Sequence, residues 1–361
     1  MVMAHIEEYF RVAQQKKATD IYFSVGSPPT LKIKGGLHPL KTYPDLSKTK
    51  VDALAREILS PKNLTEFESR REVIGARTID GLGRLRIVFS DERKGPCMAC
   101  RLIPLKIPKF DDLGLPPVLK HMVSSDAGLI LVIGRAGSGK TTTLAALIDH
   151  INHHFQKSIL TLEQPVEFIH TNQQSYIEQI PFYSPDALLE KKCLSNAFIQ
   201  TADVLVMDGL QPEETIPTAL SAASEGLLVL VSVASNGGVA EVLKRIIDAF
   251  PAGVRNNQRR LLAGVLRGAI WQHLFPLKDS RALTPAVELL INDPVITRLL
   301  SRDGALHLVR PTMAAGRCNG NQTMYQALNT LKRKAFVPED IIDDFQRAML
   351  THYVYSAKAA F

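Results

Sequence analysis

The sequence predicts an α/β fold: a small N-terminal α+β module followed by a doubly wound parallel sheet. Three observations carry that prediction. The apolar run Leu129–Ile133 feeds Gly134-Arg135-Ala136-Gly137-Ser138-Gly139-Lys140-Thr141, and a helix-like segment, TTTLAALIDHI, follows at once. From there, apolar strand-like runs alternate with helical stretches, the pattern of parallel strands joined by crossover helices. Over the first hundred or so residues, short alternating segments cluster without such crossovers, as in a smaller mixed module.

Taken in order, residues 4–16 show helical spacing, with Ile6, Phe10 and Val12-Ala13 on one side. Strand-like Asp20–Phe23 and Thr30–Ile33 flank a Gly26-Ser27-Pro28-Pro29 turn, and 47–60 reads as a second helix. Period-two alternation returns in Leu85–Phe89 and Cys97–Leu102. The stretch 105–119, with Pro108, Pro116 and Pro117, reads as an extended linker. Beyond the glycine-rich loop, strands are expected at Ile159–Leu162, Val204–Met207 and Leu227–Val233, with helices near 186–200, 213–224 and 239–249. Past about 255 the chain is predicted to be mostly helical. The expected organisation is an α+β domain over 1–104, a linker over 105–119, a nucleotide-binding domain over 120–295 and a helical region over 296–361.

Composition excludes several classes. Apolar residues make up 45% and charged residues 22% of the 361, ordinary proportions for a soluble globular chain. The run Leu227–Val231, extended by Val233-Ala234, falls far short of the ~20 residues of a membrane helix. The start, MVMAHIEEYFRVAQQ, carries acidic residues and no long apolar core, so no secretory signal is expected. Cys97, Cys100, Cys193 and Cys318 do not make a disulfide framework. The net charge of +7 is dispersed, without a basic run interleaved with aromatics, and points to no nucleic-acid partner.

The loop carries the chemistry. It fits G-x-x-x-x-G-K-[ST] between a strand and a helix, the context that makes this pattern specific. Backbone N–H groups of Gly134, Ala136, Gly137, Ser138 and Gly139, continuing to Thr142, curl around the β/γ-phosphates of a nucleotide. Lys140 reaches the same phosphates, and the Thr141 hydroxyl ligates Mg²⁺. The implied cofactors are ATP and Mg. Two other patterns are weaker. Cys97 and Cys100 have C-x-x-C spacing, but residues three apart on a strand face opposite ways. His150, His153 and His154 share a helical face near a C-terminus, where histidines also favour the dipole and the last carbonyls.

With these pieces in order, the chain resembles the PilT/PilU retraction ATPases of type IV pili, within the wider secretion-ATPase superfamily. Residues 18–29, ATDIYFSVGSPP, resemble the family's opening "SDLHLSAGxPP". GLGRLRIVF (81–89) and CRLIP (100–104) resemble its "GxGRFRVNxF" and "FRxIP" strands. TLEQPVEFIH (161–170) resembles "TIEDPIEFVH", and RIIDAFP (245–251) matches "RIIDxFP". Leu306–Pro311 and Asn321–Met324 sit where PilU-like tails have "VHELKP" and "GMQT". The resemblance implies a PAS-like N-terminal domain, a RecA-like P-loop domain and a helical C-terminal region. It further implies a hexameric ring, homomeric or shared with a PilT-like paralogue, that sits in the cytoplasm at the inner-membrane pilus base. There the family couples ATP hydrolysis to pilus disassembly at a platform protein, without inserting in the membrane. The long tetracysteine insertion of assembly-type relatives is missing, which favours the retraction branch. Arg84, Arg86 and Arg101 lie on the strands that carry the family's trans-acting arginines. Glu163, at a strand end, is the residue implied at the Mg²⁺ or the attacking water.

The chain departs from the family where hydrolysis is performed. Its Walker B segment, roughly "DPDVILVGEMRD", reads ADVLVMDGLQP (202–212) here, so Gly209 replaces the Glu and Gln211 the Arg. Asp208 lies one position early, and one residue of shift on a strand sends a side chain to the other face. The histidines of "GHLxxxTLHT" become Leu227 and Ala234, and the arginines of "LRAALRxDPD" become Ser195 and Ile199. Gln164 stands in the Asp position of "EDP". Three functions fit this pattern. One is an ATP-binding retraction subunit with weak or no hydrolysis that relies on an active paralogue. Another is an active motor using Asp208, Glu163 or Glu225 as substitute carboxylate. The last is a non-hydrolysing, nucleotide-gated scaffold.

Overall fold

A computed structural model describes residues 5–33, 36–181, 201–209, 212–278, 282–316 and 320–358. The chain forms two compact units, Met1–Ile107 with Leu162–Thr171 and Gln179–Pro185, and Pro108–Thr161 with Asn172–Glu178 and Asp186–Phe361.

In the first unit, β1 (Asp20–Ser24), β2 (Thr30–Ile33), β3 (Gly36–Pro39), β4 (Glu72–Ile79), β5 (Gly83–Glu92) and β6 (Gly95–Ile103) form one sheet in the order β3-β2-β1-β6-β5-β4. Its neighbours pair antiparallel throughout. Alternation sends Ile21, Phe23, Leu85, Ile87, Phe89, Met98 and Cys100 to a core shared with Phe10 of α1 (Ile6–Gln15) and with Leu54 and Ile58 of α2 (Lys48–Ile58). The other face keeps Arg84, Arg86 and Arg101. A further helix, α3 (Pro61–Arg70), follows at once: Ser60 Oγ accepts from the Asn63 N–H, and Pro61 opens the first turn. The helix expected over 47–60 corresponds to α2, whereas α3 and β4 were not anticipated, Glu72 and Arg77 blurring the alternation of β4.

The second sheet has seven strands in the order β13-β12-β7-β11-β10-β8-β9. They are β7 (Gly128–Gly134), β8 (Ser158–Glu163), β9 (Tyr176–Pro181), β10 (Val204–Asp208), β11 (Leu228–Ala234), β12 (Leu266–Pro276) and β13 (Leu283–Ile291). Strands β12, β7, β11 and β10 run parallel, with β13 antiparallel at the edge. Every residue of β7 is buried, as befits a strand covered on both faces. On one face α5 (Lys140–His154) packs Leu144, Leu147, Ile148 and Ile151 onto Ile130, Val132, Val204, Val206, Leu228, Leu230 and Ile270. The helices α4 (Val118–Met122), α6 (Pro212–Ser224), α7 (Val239–Asp248), α8 (Ala252–Val265), α9 (Pro294–Ser301), α10 (Val309–Ala315), α11 (Met324–Arg333) and α12 (Glu339–Lys358) complete the described elements.

Two expectations need correction. The stretch 105–119 is not simply extended: Phe110–Leu113 forms a 3-10 turn, and Phe110, Leu115 and Leu119 are buried in the core of the second unit. The region past 255 also holds the long hairpin of β12 and β13. Both strands are covered on their two faces over much of their length, so no polar–apolar alternation marks them, and Gly268, Pro285 and Glu288 punctuate them. Glu288 is buried, and its carboxylate accepts from the first N–H of α7 (Val239, 2.8 Å) and the first N–H of α11 (Met324, 3.3 Å). Burial pushes its pKa up, and the two N–H donors pull it back. The expected helix near 186–200, with Cys193, Ser195 and Ile199, lies outside the described residues, as do Gln211 and Cys318. Among the described residues, no helix is long and apolar enough to cross a membrane.

Candidate functional site

The glycine-rich loop joins the buried end of β7 to the start of α5, so a helix N-terminus and a tight turn meet there. Gly137 (φ 76°) and Gly139 (φ 89°) adopt left-handed backbone that a side chain resists. Two glycines are also hemmed in. A Cβ at Gly134 would collide with Ser138 Oγ and with the backbone oxygen of Gln272, and one at Gly139 would lie 3.1 Å from Gln272 Nε2. Ser138 N–H closes the turn on the Arg135 carbonyl at 3.2 Å, and Lys140 Nζ lies 3.1 Å from the same oxygen. Ser138 Oγ is enclosed with no hydrogen-bond partner, an unmet polar group that a phosphate oxygen would satisfy. Arg135, Ala136 and Gly137 are exposed, whereas Lys140, Thr141 and Thr142 are partly so. The residues therefore fit a nucleotide's phosphates.

Gln272 of β12 was not singled out in the sequence, although a Gln inside the apolar run AIWQHLF was the available signal. Its side chain is 1% exposed. Nε2 donates to the Ser138 carbonyl at 2.7 Å, and Oε1 accepts from Thr143 Oγ1 at 2.9 Å.

On β10, Asp208 shares a face with Val204 and Val206, which pack into the α5-side core. Its buried carboxylate thus belongs to the α5 side of the sheet. Here β10 ends at Asp208, and Gly209 follows in left-handed backbone (φ 76°), donating its N–H to Ser232 Oγ at 3.1 Å. Strand β11, which carries Ser232, lies between β7 and β10, and Ala234 pairs with Gly134.

The remaining expected residues belong to the first unit. Glu163 is buried and accepts from Gln179 Nε2 at 2.9 Å. The same amide donates to the Phe168 carbonyl at 2.9 Å, and Gln179 Oε1 takes the His170 N–H at 2.9 Å. Burial pulls the His170 pKa down to about 4, and its Nδ1 is enclosed with no partner. The three arginines are engaged with other groups. Arg84 donates to the Val166 carbonyl (Nε 2.8 Å, Nη2 2.6 Å) and to Thr78 Oγ1 (2.9 Å). Arg86 pairs with Glu167 at 3.0 Å, and Arg101 with Asp20 at 2.9 Å. Arg86 and Arg101 are direct cross-strand partners, so the two carboxylates relieve a like-charge pair.

The two weaker patterns resolve into ordinary contacts. Cys100 is buried in the core, while Cys97 Sγ lies on the other face, 3.2 Å from Ser90 Oγ. The His153 and His154 rings turn to carbonyls one helical turn back, at 2.8 Å each. Beside Arg135, on the sheet face away from α5, a cavity of about 320 Å³ is lined by Trp271 and His273 of β12 and by Phe345 and Met349 of α12. Burial, helped by the Arg135 charge, lowers the His273 pKa to about 4.

A loop of this build, with one strand inserted between its own strand and the next carboxylate-bearing strand, defines a RecA-like P-loop protein carrying an N-terminal domain. The family model described as "Type II/IV secretion system protein" matches residues 94–330, and the chain belongs to that family. Within it the chain is PilT/PilU-like. It is 29% identical to the type IV pilus retraction ATPase PilT of Pseudomonas aeruginosa over 335 residues, 93% of this chain and 96% of that one. It is 29% identical to the type IV pilus ATPase PilU of the same organism over 325 residues, 90% and 84% of the two chains. The crystal structure of the pilus retraction motor PilT with bound ADP superposes with a TM-score of 0.81 at 30% identity, covering 94% of this chain and 96% of that one.

Proposed function

We propose that this chain is an ATP-binding subunit of a type IV pilus retraction motor, with weak or no ATP hydrolysis of its own and reliance on an active PilT-like paralogue. The observation that carries the reading is a contrast. The loop from Gly134 to Thr142 is built for phosphates, yet position 209 offers only a glycine in left-handed backbone. The backbone N–H groups and Lys140 hold the phosphates, and the Thr141 hydroxyl and a carboxylate hold Mg²⁺, which when bound neutralises charge on the β/γ-oxygens. A missing general base costs ~10²–10⁴ in rate. In this proposal the subunit works in a homo- or hetero-hexamer in the cytoplasm, at the pilus base beside the platform protein. Arg84 and Arg101 are the arginines proposed to serve a neighbour's nucleotide. The domain bounds proposed above, 120–295 for nucleotide binding and 296–361 for the helical region, belong to the same reading.

The test is phosphate release with Mg-ATP beside a nucleotide-binding titration, with Lys140→Ala as control. Binding without Lys140-dependent release is expected. A second reading, an active motor with a substitute carboxylate, draws on the buried Asp208 on the α5 side of the sheet. Release that needs Lys140 and disappears in Asp208→Asn or Glu163→Gln would replace the first reading with the second.

A further inference from the structure

Gln272 ties the phosphate loop to β12 by two hydrogen bonds and by a close backbone approach that leaves no room for a side chain at Gly134. A Cβ at Gly134, at the start of the loop, would collide with the Gln272 backbone oxygen, its Nε2 donates to the Ser138 carbonyl near the end, and its Oε1 accepts from the Thr143 hydroxyl one turn into α5. The chemistry of these partners dictates which way the amide faces. A carbonyl oxygen only accepts, so the group beside Ser138 is the NH₂, and the Thr143 hydroxyl is left to donate to Oε1.

A trans peptide holds its C=O and the following N–H in one plane, pointing in opposite directions. With the Ser138 oxygen held against β12, the Gly139 N–H points away from β12, and no acceptor takes it among the described residues. We infer that Gln272 is a positioning residue of the loop: it locks the Ser138–Gly139 peptide so that the Gly139 N–H is presented to a phosphate oxygen. This rests on the proposal that the loop binds a nucleotide di- or triphosphate. The left-handed backbone of Gly139 leaves this peptide poorly determined by its own sterics, because glycine tolerates several orientations there. An external clamp therefore decides which group, N–H or C=O, faces the anion. A carbonyl presented to a phosphate repels it, so orientation sets affinity rather than fine-tuning it. Thr143 acts one step back, by holding the amide in the donating pose.

The test uses the full chain and three variants, Gln272→Glu, Thr143→Val and Lys140→Ala. Each is titrated with Mg-ATP and with magnesium tripolyphosphate, which engages only the phosphate loop. Thermal melting of the ligand-free proteins separates folding from binding. Gln272→Glu keeps the shape and the acceptor for Thr143 but sets an acceptor against the Ser138 carbonyl. It should weaken both ligands by about tenfold or more at a temperature where it is fully folded. Thr143→Val should weaken both by a smaller factor, and adding it to Gln272→Glu should cause no further loss, since the two act through one bond. A folded Gln272→Glu protein that binds both ligands within twofold of wild type overturns the inference. So does a loss confined to ATP, which would place the effect at the nucleoside. Should Gln272→Glu fail to fold, unchanged binding by Thr143→Val overturns it equally. If wild type shows no Lys140-dependent binding, the nucleotide reading fails and the inference goes with it. Wild-type binding with an indifferent Gln272→Glu removes the inference alone.

Discussion

Putting a carboxylate back at position 209 is the sharpest perturbation available. Gly209→Glu places the missing acid in a residue with φ 76°, where a non-glycine residue costs roughly 1–2 kcal/mol. The bond from its N–H to Ser232 Oγ does not involve the side chain and survives the change. For a unit of this size that strain lowers the melting temperature by about 2–8 °C. The gain to be read is in turnover. A positioned base contributes ~10²–10⁴, equivalent to about 3–5 kcal/mol of barrier. The strained backbone does not hold the new side chain in its best pose, so a rise of at least about tenfold in phosphate release is expected. The assay is steady-state phosphate release with Mg-ATP, beside nucleotide affinity and a melting curve for each protein. Lys140→Ala in the same chain must abolish the gain. A Gly209→Glu protein that folds, binds ATP as tightly as its parent and releases phosphate no faster would refute the reasoning. The limit would then lie in the other departures, such as Leu227, Ala234 or Gln164, and not in the missing acid.

Two further outcomes follow from the first unit. Glu167→Gln leaves Arg86 directly opposite Arg101 with one carboxylate fewer between them, and the pair it breaks is only partly exposed. A loss of about 1–3 kcal/mol is expected, shrinking with added salt and largely recovered in Arg86→Met/Glu167→Gln. Denaturant titration of wild type, Arg86→Met, Glu167→Gln and the double variant checks it, and a double variant no more stable than Glu167→Gln alone contradicts the pairing. His170 titrates near 4 when folded, below its unfolded value, so the unfolded chain takes the proton first as pH falls. Its contribution is complete above about pH 6.5 and disappears between there and pH 4, by up to about 3 kcal/mol. His170→Phe should flatten that part of the stability–pH curve, and an unchanged slope would show that the ring is not held neutral.

The loop was legible because its function is written in local backbone demands. Glycines at 137 and 139 with positive φ, a preceding buried strand and a following helix leave a pattern within fifteen or so residues. The first sheet was partly legible for a similar reason, since β5 and β6 bury one face and keep arginines on the other. What escaped was set by long-range covering. Strands β12 and β13 have both faces buried, so period two is erased just where Gln272 reaches back more than a hundred residues to Ser138. Asp208 shows the limit of register arguments. Alternation places it with Val204 and Val206, but only the structure shows that β10 ends there and that Gly209 leaves the strand in left-handed backbone.

Glu288 links the two sides of the boundary expected near 295, which lie in one compact unit. One buried carboxylate serves as the opening acceptor for α7, which follows β11, and for α11, which lies deep in the C-terminal helical region. A chain cut at 295 would strip away α11 and leave that carboxylate with a single donor in a pocket opened to water. The helical tail is thus built into the second unit, held by the same acid that starts α7. Signals that displace α11 would be felt at the first turn of α7, a few residues beyond the strand that runs beside the phosphate loop.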